Sequence, residues 1–571
     1  MTVKATKSGS RHAKTPIVCG ADIELGNFVR GLPEKGTGAY ASKLLLSEIE
    51  GYPGSRMTFF ADCQCQSCRA ARKTKRSGNG FPRLAQKAQI INPQDWGRKF
   101  LPANGGCAYI DMDHLELCLP EVTNAYDHVA AWHAMLRIAR KAMNGANAKL
   151  PDGQSLELLV NNSDGFGHSY GSHLNFLVTR RTWDNLFKRK MQYLLWLAAF
   201  QASSIVFTGQ GKVGSENGAP KVDFQIAQRA DFFERLVGTQ TTHHRPIVNS
   251  RDEPLCGSDV EKGRDAPARL HVIFFDNTLN HTACFLKVGV MQIVLAMIEA
   301  EQVNLELLLD DPLEAVHQWS HDPTLQTESR LAAGPSVTAV ELQLLFLEEA
   351  HRFVADGGCE GIVPRTQEIL ELWEDTLLKL HRRDWSALER RLDWVLKRML
   401  LERVMIARPK LNWSSPEIKH LDHSYASLDS DEGLYSQCER DNRIERIVAE
   451  DRIAYFESGP PEDTRAWTRA MLLRTVEEEA IWQVDWHEMS FAYRDQSNRQ
   501  RRSKLELSHP LSLTREDTQE AFAASKTLDE LLQRLGAAQS VMGKRRRLGS
   551  KPKVLGANGR INKRSIRAVA E

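Results

Sequence analysis

The fold of this 571-residue chain is restricted most by a strand-like stretch that is rich in acids. The stretch GGCAYIDMDHLELCLPEV, residues 105–122, alternates apolar and polar side chains, which is typical of a β-strand. Read as one strand, it carries ionisable side chains on both faces, namely Asp111, Asp113, His114 and Glu116. An unpaired buried carboxylate costs several kcal/mol. The pattern therefore predicts a cation or strong hydrogen-bond donors beside this strand.

A second acid pair lies nearer the start of the chain. In VCGADIELGNF, Asp22 and Glu24 are two residues apart and so project from the same face of a strand. Neighbouring carboxylates repel each other unless a cation or a strong donor lies between them. One such pair alone is typical of a solvated strand edge, because acids are usually exposed. A metal site is the better interpretation only if further ligand-type residues recur along the chain.

Ligand-type residues do recur. The segment LLVNNSDGFGHSYGSHLNFLV places a glycine-rich turn between two apolar strands, without the spacing of a Walker or dinucleotide-binding loop. The segments HHRPIVNSRDEPLC and RLHVIFFDNTLNHTACFLKVG add spaced arginines and histidines. Carboxylates hold divalent cations, the cations bridge phosphate oxygens, and arginine neutralises the remaining charge. We therefore predict a nucleotide site with divalent cations, for which the polar candidates are His173, Asn175, Arg245, Arg251, Arg269 and His271.

Composition indicates a globular protein. Hydrophobic residues make up 42% of the chain and charged residues 26%, and the length is sufficient for two or more domains. The basic N-terminus lacks an apolar signal core, and the segment nearest to a membrane span, YLLWLAAFQASSIVF, is too short and is interpreted as a buried helix. These features predict a cytoplasmic protein without a membrane partner.

Charge is distributed unevenly along the chain. From Lys544 to Glu571 there are ten Lys and Arg and one Glu, a net charge of +9, whereas the whole chain carries only +2. A basic tail can bind nucleic acid, but this one lacks interleaved aromatic residues and is only an electrostatic footprint. A solvated tail, or a dock for an acidic partner, is at least as good an interpretation, and we do not expect a nucleic-acid partner.

The ten cysteines suit a reducing compartment, because most of them are scattered singly. The exception is CQCQSC, which contains Cys63, Cys65 and Cys68. These thiols could bind zinc if Cys107 or Cys118 supplied a fourth ligand, although the usual paired CxxC units are missing. Unpaired loop thiols are the alternative interpretation.

The order of the motifs resembles one known family, the Pup ligases and depupylases. The similar segments, over about residues 17–490, are GADIELGN, AYIDMDHLEL, NNSDGFGHSYGSHLNFL, QIAQRADFFE, RPIVNSRDEP, RLHVIFFDNTLNHTACFLKVG, LDWVLKRML, LDHSY and PPEDTRA. The resemblance implies an α+β, glutamine-synthetase-like carboxylate-amine ligase fold, in which a curved antiparallel sheet flanked by helices holds ATP and Mg²⁺. It also implies a partner, a Pup-like small protein modifier with its conjugates, and a proteasome-linked pathway.

The resemblance implies roles for individual residues. Asp22 and Glu24 match the first-strand acid pair that holds magnesium. Glu116, preceded by His114, matches the acid of a His-Pro-Glu element that helps to hold metal and nucleotide, and Asp111 matches the catalytic aspartate. Whether that aspartate acts as nucleophile or as base stays open. The remaining nucleotide- or substrate-binding candidates, besides the six polar residues named above, are Tyr109, His114, Asn161 and Asn162.

The resemblance also bears on the direction of the reaction. The five-residue step from Asp111 to Glu116 matches the depupylase pattern D-x-x-H-P-E, whereas the ligase pattern has one residue more. We therefore predict a hydrolase that acts on the isopeptide bond or the C-terminal Gln amide of a Pup-like modifier. The alternatives are an ATP-dependent ligase that joins the modifier to target lysines, and a non-catalytic protein that binds the tag.

Several positions depart from the family pattern. The first acid of the pair is the shorter Asp22, and the proline of the His-Pro-Glu element is Leu115. Leu174 and His281 stand where the family has glutamates, and Thr278 stands where it has an asparagine. Loss of two acids predicts fewer bound cations if those positions face the metal.

These patterns divide the chain into four segments. They are a disordered N-terminal extension at 1–16, a glutamine-synthetase-like catalytic domain at 17–411 with a loop insertion at about 52–104, a small C-terminal domain at 412–495, and an extension at 496–571 with one helix and the basic tail.

Overall fold

The computed structural model describes residues 15–32, 37–53, 98–253, 255, 263 and 265–541. Most of the N-terminal extension, most of the loop insertion and the basic tail lie outside these ranges. The predicted zinc ligands Cys63, Cys65 and Cys68 also lie outside the described residues.

Helices and strands are numbered here in chain order. The α-helices are α1 (Gly38–Glu48), α2 (Ala125–Asn147), α3 (Arg180–Asp184), α4 (Met191–Thr208), α5 (His281–Glu299), α6 (Pro312–Ser320), α7 (Ala339–Ala355), α8 (Thr366–Arg382), α9 (Trp385–Leu388), α10 (Asp393–Ala407), α11 (Pro416–Tyr425), α12 (Leu434–Arg440), α13 (Glu450–Ser458), α14 (Ala466–Thr475), α15 (Arg515–Ala524) and α16 (Leu528–Arg534). The strands are β1 (Cys19–Arg30), β2 (Tyr52–Pro53), β3 (Lys99–Phe100), β4 (Cys107–Asp111), β5 (His114–Cys118), β6 (Ser155–Leu159), β7 (Ser172–Thr179), β8 (Lys212–Val213), β9 (Phe224–Gln225), β10 (Phe233–Gly238), β11 (Arg245–Asn249), β12 (Pro267–Val272), β13 (Glu328–Arg330), β14 (Ser336–Thr338), β15 (Ile481–Val484), β16 (Glu488–Arg494), β17 (Gln500–Glu506) and β18 (Ala538–Val541).

The central element of the described chain is an eight-stranded sheet. Its strand order is β12-β7-β1-β5-β4-β3-β2, and β6 pairs with the second half of β1. Every pairing in this sheet is antiparallel. An antiparallel sheet flanked by helices confirms the predicted α+β class.

Strand β1 separates an apolar face of the sheet from a polar face. Ala21, Ile23 and Leu25 are at most 1% exposed and lie in the main core, which also contains the helices α2, α4 and α5. Asp22 and Glu24 project from the opposite face, because successive side chains of a strand alternate. Burial of one leucine or isoleucine contributes about 1.5–3 kcal/mol. The apolar alternation therefore fixes which face of β1 carries the acids.

Helix α5 is enclosed behind the sheet. In the part of the chain that the structure describes, it is the one helix that is long and apolar enough to cross a membrane, with a mean hydropathy of 1.7 over its most apolar window. All of that window is buried inside the protein, so α5 is a core helix. Helix α4, which the sequence analysis takes as the segment nearest to a membrane span, is also buried, as predicted.

A second, four-stranded sheet of order β15-β16-β17-β18 forms a C-terminal unit with α14, α15 and α16. The boundary predicted at residue 495 does not hold, because it falls between β16 and β17, which pair along their whole length from Glu488 to Glu506. The turn that joins these strands is polar and resembles a linker in sequence. The main core extends to Phe456, so we propose that the C-terminal unit begins after α13.

Two buried arginines fasten the C-terminal unit to the central sheet. Arg469 of α14 forms an ion pair of 2.5 Å with Glu121 and donates an N–H to the carbonyl of Gly105 at 2.8 Å. Arg465 binds the other oxygen of the same carboxylate at 2.7 Å. Burial alone would raise the pKa of Glu121, but the two guanidinium groups lower it to about 2. Gly105 lies just before β4 and Glu121 lies just after β5. The C-terminal unit therefore holds this pair of strands at the end where the chain enters and leaves it.

Candidate active site on the polar face of the central sheet

The stretch GGCAYIDMDHLELCLPEV is a β-hairpin and not one strand. Strand β4 ends at Asp111, β5 begins at His114, and Met112 and Asp113 form the turn, with Met112 in the left-handed region at φ 48°. The chain reverses here, so Asp111 lies directly opposite His114. Asp111 and Glu116 therefore share one face of the sheet, although uninterrupted alternation would place them on opposite faces.

The strand register arranges the candidate side chains in rows across this face. Residues directly opposite each other on antiparallel strands point to the same side of the sheet. From β12 or β7 toward β4, the rows are His271, Asn175 and Gly20; then His173, Asp22, Cys118 and Cys107; then Glu24, Glu116 and Tyr109; and finally His114 and Asp111. Residues that are far apart in the sequence are thus brought together on one face.

Carboxylates crowd the middle of this face. Burial, and next the carboxylates of Asp22, Glu24 and Asp111, raise the pKa of Glu116 well above its usual value. Burial also raises the pKa of Asp22, although hydrogen bonds from neighbouring side chains and Arg269 oppose the shift. A divalent cation would neutralise carboxylates arranged in this way, so the residues fit a metal site.

Hydrogen bonds hold the acids in place. The Asn175 amide donates to Asp22 at 3.0 Å, and Arg269 donates in turn to the Asn175 carbonyl oxygen at 2.8 Å. On the other side, the His114 ring and the Glu24 carboxylate are 2.8 Å apart. The two metal-ligand candidates of β1 are therefore oriented by polar residues of β5, β7 and β12.

The part of the face on β7 and β12 is cationic. The rings of His173 and His271 lie edge to face with centroids 5.3 Å apart. Burial, and next the positive charge of nearby arginines, hold the pKa of both histidines well below the usual value, so both are neutral at pH 7. The arginines that act on both histidines are Arg229, Arg251 and Arg269. Acids beside arginines suit a ligand with anionic groups and a bound cation.

Among the residues that the structure describes, two sets of side chains have donor atoms close enough together to hold one cation each. Asp22, His173 and His271 form one set, and Asp22, Glu116 and Cys118 form the other, with all donor atoms of a set within 4.8 Å of one another. Asp22 belongs to both sets. The predicted metal ligands Asp22 and Glu116 therefore come together, whereas Glu24 lies in neither set and is bound to His114.

Asn161 and Asn162, two predicted ligand-binding residues, bind other parts of the protein. The Asn161 side-chain oxygen accepts a hydrogen bond from the Tyr170 hydroxyl at 2.7 Å. The Asn162 side-chain oxygen accepts from the backbone N–H of Asn277 at 2.6 Å. Both asparagines are at most 3% exposed. They shape the glycine-rich loop beside the site, and the geometry supports a positioning role for them.

The two arginines predicted from RPIVNSRDEP differ in their surroundings. Arg245 is buried and donates to the backbone carbonyls of Ser169 and Thr241, the latter at 2.7 Å. Arg251 is more open, with 37% of its side chain exposed, and its guanidinium lies 3.5 Å from Glu253. Arg245 therefore supports the loop, whereas Arg251 is accessible to a ligand.

Arg229 lies near the site but is not among the residues predicted from the sequence. Its side chain is 1% exposed, and one nitrogen donates to the carbonyl of Ile273 at 2.5 Å. The other two nitrogens have no partner among the described residues. Burial, and next the charge of Arg245, lower the pKa of Arg229 to about 9, which leaves it charged at pH 7. Only its position within QIAQRADFFE could have pointed to it, because an isolated arginine carries no sign of burial.

Two positions at which the resemblance leads one to expect glutamate, Leu174 and His281, do not face the acids. Leu174 is fully buried on the apolar face of β7, between His173 and Asn175, which point the other way. His281 begins α5 and stacks on His133 of α2, with ring centroids 4.2 Å apart. The Leu174 side chain faces the helices behind the sheet, and His281 belongs to one of these helices. The prediction of fewer cation ligands therefore does not follow from these positions.

A small open cavity of about 80 Å³ adjoins the site. It lies between the end of the central sheet and the C-terminal unit. The residues that matter for the site are Gly20, Asp22, Asn175, Arg269, Arg465 and Trp486. A Cβ at Gly20 would meet nothing within 4 Å, so the floor of the cavity is open beside Asp22.

Comparison with known proteins gives consistent matches. A family model described as Pup-ligase protein matches residues 39–490. The chain is 36% identical to the depupylase of Acidothermus cellulolyticus over 463 residues, which cover 81% of this chain and 88% of the relative. It is 37% identical over 403 residues to the Pup deamidase/depupylase of Mycolicibacterium smegmatis, covering 70% and 77% of the two chains. It is 35% identical over 399 residues to the Pup–protein ligase of Acidimicrobium ferrooxidans, covering 68% and 84%.

Two solved structures are similar over most of the chain. The complex of the prokaryotic ubiquitin-like protein Pup with its ligase PafA has a TM-score of 0.67 at 22% identity, covering 91% of this chain and 92% of that chain. The Pup ligase PafA in complex with ADP has a TM-score of 0.63 at 25% identity, covering 80% and 95%. These similarities confirm the predicted ligase fold.

Proposed function

Because this chain belongs to the Pup-ligase protein family, we propose that it acts on a Pup-like protein modifier and that it does so as a hydrolase. The bond cleaved is the isopeptide bond between the modifier and a target lysine, or the C-terminal Gln amide of the modifier. A cytoplasmic location and a proteasome-linked pathway, both expected from the sequence, belong to the same proposal.

The observation that carries the hydrolytic direction is the two-residue turn between β4 and β5. This turn sets Asp111 five residues before Glu116, which is the spacing of the depupylase pattern. One additional residue in the turn would give the ligase spacing. The depupylase of Acidothermus cellulolyticus also aligns with 81% of this chain, against 68% for the ligase of Acidimicrobium ferrooxidans.

We propose ATP and Mg²⁺ as the cofactors. A similar ligase has been solved in complex with ADP, and in this chain a cavity adjoins both the crowded acids and the arginines. Asp22 and Glu116 would hold the cation, and Arg251 and Arg269 would face the phosphates. The cation would supply positive charge for the phosphates and for a developing oxyanion.

We propose that Asp111 acts on the bond. It is partly exposed at the end of β4, beside a turn whose Met112 is 58% exposed, so an extended peptide can reach it. As a nucleophile, Asp111 would form a bond to the carbonyl carbon while the C–N bond breaks and the amine leaves with a proton, and water would then release the aspartate. As a base, it would take a proton from the attacking water. Both routes require a nearby positive charge for the oxyanion.

A ligase is the second candidate function. It is favoured by the name of the Acidimicrobium ferrooxidans relative and by the two similar PafA structures. In that direction, Asp111 would deprotonate the incoming lysine after the modifier carboxylate has been phosphorylated. A ligase consumes one ATP for each bond made, whereas a hydrolase needs no stoichiometric ATP.

Mass spectrometry tests the proposed function. The protein is incubated with ATP, Mg²⁺ and either a Pup-like protein that ends in Gln or its isopeptide conjugate, and ADP is measured in parallel. Release of ammonia or of the free target without matching ADP formation supports the hydrolase. Conjugate formation with one ADP per bond supports the ligase. Nucleotide binding without either reaction would leave the non-catalytic tag-binding role.

Replacing Glu116 with Gln is expected to stabilise the metal-free protein and to weaken Mg²⁺-dependent nucleotide binding. The change removes one of the crowded buried carboxylates, whose pKa is raised. A pKa shift of one unit corresponds to about 1.4 kcal/mol. Thermal denaturation should therefore show a higher melting temperature without metal and a smaller increase on addition of ATP and Mg²⁺.

The matched control for this prediction is Glu50→Gln, because Glu50 is exposed next to α1. It should change neither the metal-free stability nor the response to ATP and Mg²⁺. A Glu116→Gln protein that is less stable than wild type without metal would show that the carboxylates are not crowded.

A further inference from the structure

One row on the polar face ends in two thiols that the proposed magnesium chemistry does not use. Cys118 lies directly opposite Asp22 on one side and directly opposite Cys107 on the other. Both cysteines are free thiols and are at most 2% exposed. The Cys118 sulfur lies within 4.8 Å of carboxylate oxygens of both Asp22 and Glu116. The thiol therefore points at a predicted metal ligand.

The geometry of this group suits a small ion. The donor atoms of Asp22, Glu116 and Cys118 lie within 4.8 Å of one another. In a tetrahedral zinc site with bonds of about 2.0–2.3 Å, neighbouring donors lie roughly 3.3–3.8 Å apart. A small rotation of the side chains would therefore bring all three donors onto one ion. Cys107 lies opposite Cys118 but is not in this set of donors, and the cavity beside Asp22 provides a route from solvent.

We propose that Asp22, Glu116 and Cys118, with Cys107 beside them, form a cation site with a thiolate donor that prefers Zn²⁺, or a similar transition-metal ion, to Mg²⁺. The inference rests on the proposed cation site, and it replaces Mg²⁺ by the softer ion as the occupant between Asp22 and Glu116. Thiolate is a soft ligand that favours zinc and cobalt, whereas Mg²⁺ selects oxygen ligands. On binding, the S–H bond of Cys118 breaks, its proton passes to solvent and a sulfur–metal bond forms, so no oxidant or reductant is required.

Apolar packing explains only part of this arrangement. Cys107 and Cys118 belong to the core of the C-terminal unit, together with Phe100 and Met489, and a thiol is a good small apolar group. Packing accounts for their burial. It gives no reason for a thiol to lie within 4.8 Å of two carboxylates, and a shared cation does.

Cobalt is the probe for this site, because Co²⁺ bound to thiolate shows a charge-transfer band in the near ultraviolet and Mg²⁺ does not. The parent protein should carry Ser at Cys63, Cys65 and Cys68, since these thiols would bind Co²⁺ independently. Metal-free, reduced parent is titrated with Co²⁺ and then with Zn²⁺ or excess Mg²⁺. We expect one strong Co²⁺ site with the thiolate band, displaced by Zn²⁺ and retained in excess Mg²⁺.

Cys118→Ser in the same parent is expected to abolish the band and to weaken Co²⁺ binding. Changing an outer-shell partner costs about 10–100-fold in metal affinity, so loss of a direct donor should cost at least as much. Cys107→Ser should leave the band in place, because the Cys107 thiol is not in the set of three donors. The matched control is Cys438→Ser, a buried thiol on α12 away from the sheet, which should leave the band unchanged.

The absence of a thiolate band in folded parent protein would overturn the proposal. So would a band that persists in Cys118→Ser. Circular dichroism and thermal denaturation establish that each variant is folded. Because absorption reports the metal without any substrate, failure of the modifier assay with the band present would overturn the proposed function and leave the thiolate site standing. The reverse result would overturn only the thiolate site.

Discussion

Asp111→Asn is expected to abolish measurable cleavage of the modifier while nucleotide binding stays within about twofold of wild type. General-base catalysis contributes about 10²–10⁴-fold, and loss of a nucleophile costs up to about 10⁶-fold. The size of the loss therefore separates the two roles of Asp111. The measurement is single-turnover cleavage of a conjugate by mass spectrometry, with nucleotide affinity determined in parallel.

The control for this prediction lies two residues further along the same hairpin. Asp113 is exposed in the turn, and its backbone carbonyl accepts a hydrogen bond from the Asn27 amide at 2.9 Å. Asp113→Asn should cleave at nearly the wild-type rate, since it removes one charge without altering the row that contains Asp111. Equal losses in both variants would mean that the hairpin tip is needed as a whole. Full activity in Asp111→Asn would overturn the proposed chemistry.

Arg469→Met is expected to lower the free energy of unfolding by about 3–5 kcal/mol, because removal of one partner leaves a buried charge without compensation. Arg469 is fully buried, and its guanidinium holds both Glu121 and the carbonyl of Gly105. Denaturant unfolding measures the loss. The control is Arg352→Met, which removes an exposed ion pair with Glu348 and should cost less than about 1 kcal/mol.

The loss in Arg469→Met should depend on pH with a defined sign. The pKa of Glu121 is lowered to about 2 in the folded protein, from its ordinary value of 4.5. Its ion pairs therefore contribute in full above pH 4.5, and the contribution disappears as the pH falls toward 2. The difference between wild type and Arg469→Met should shrink over the same interval. A difference that is constant with pH would show that the loss comes from packing alone.

The sequence predicts which residues form the site better than it predicts how they are arranged. Paired acids on strands are a strong signal because a buried carboxylate needs compensation. The hairpin turn gave no signal, since Met112 and Asp113 continue the alternation and include neither Gly nor Asn at the position with positive φ. The sequence therefore places Asp111 and Glu116 on opposite faces, whereas the turn brings them to one face.

Side chains behind the sheet show a second limit. Leu174 and His281 appear in the sequence as missing acids, but the side that a residue faces depends on strand register and helix packing. Arg229 shows the opposite error, because a buried arginine and a solvated one look the same in a sequence. Distances across the sheet, such as the 2.8 Å between His114 and Glu24, depend on pairing between residues that are 90 positions apart.

The ion pairs of α14 also impose an order on biosynthesis. Gly105 and Glu121 are held by Arg469, which is 364 and 348 residues further along the chain. A ribosome that has completed the central sheet has therefore not yet made the residue that secures its acid-bearing hairpin. Until α14 has left the ribosome, the hairpin of the nascent chain lacks these ion pairs, and no arginine of α14 compensates the carboxylate of Glu121. Assembly of the site is thus one of the last events in the maturation of the chain, which delays any reaction there until most of the protein has been synthesised.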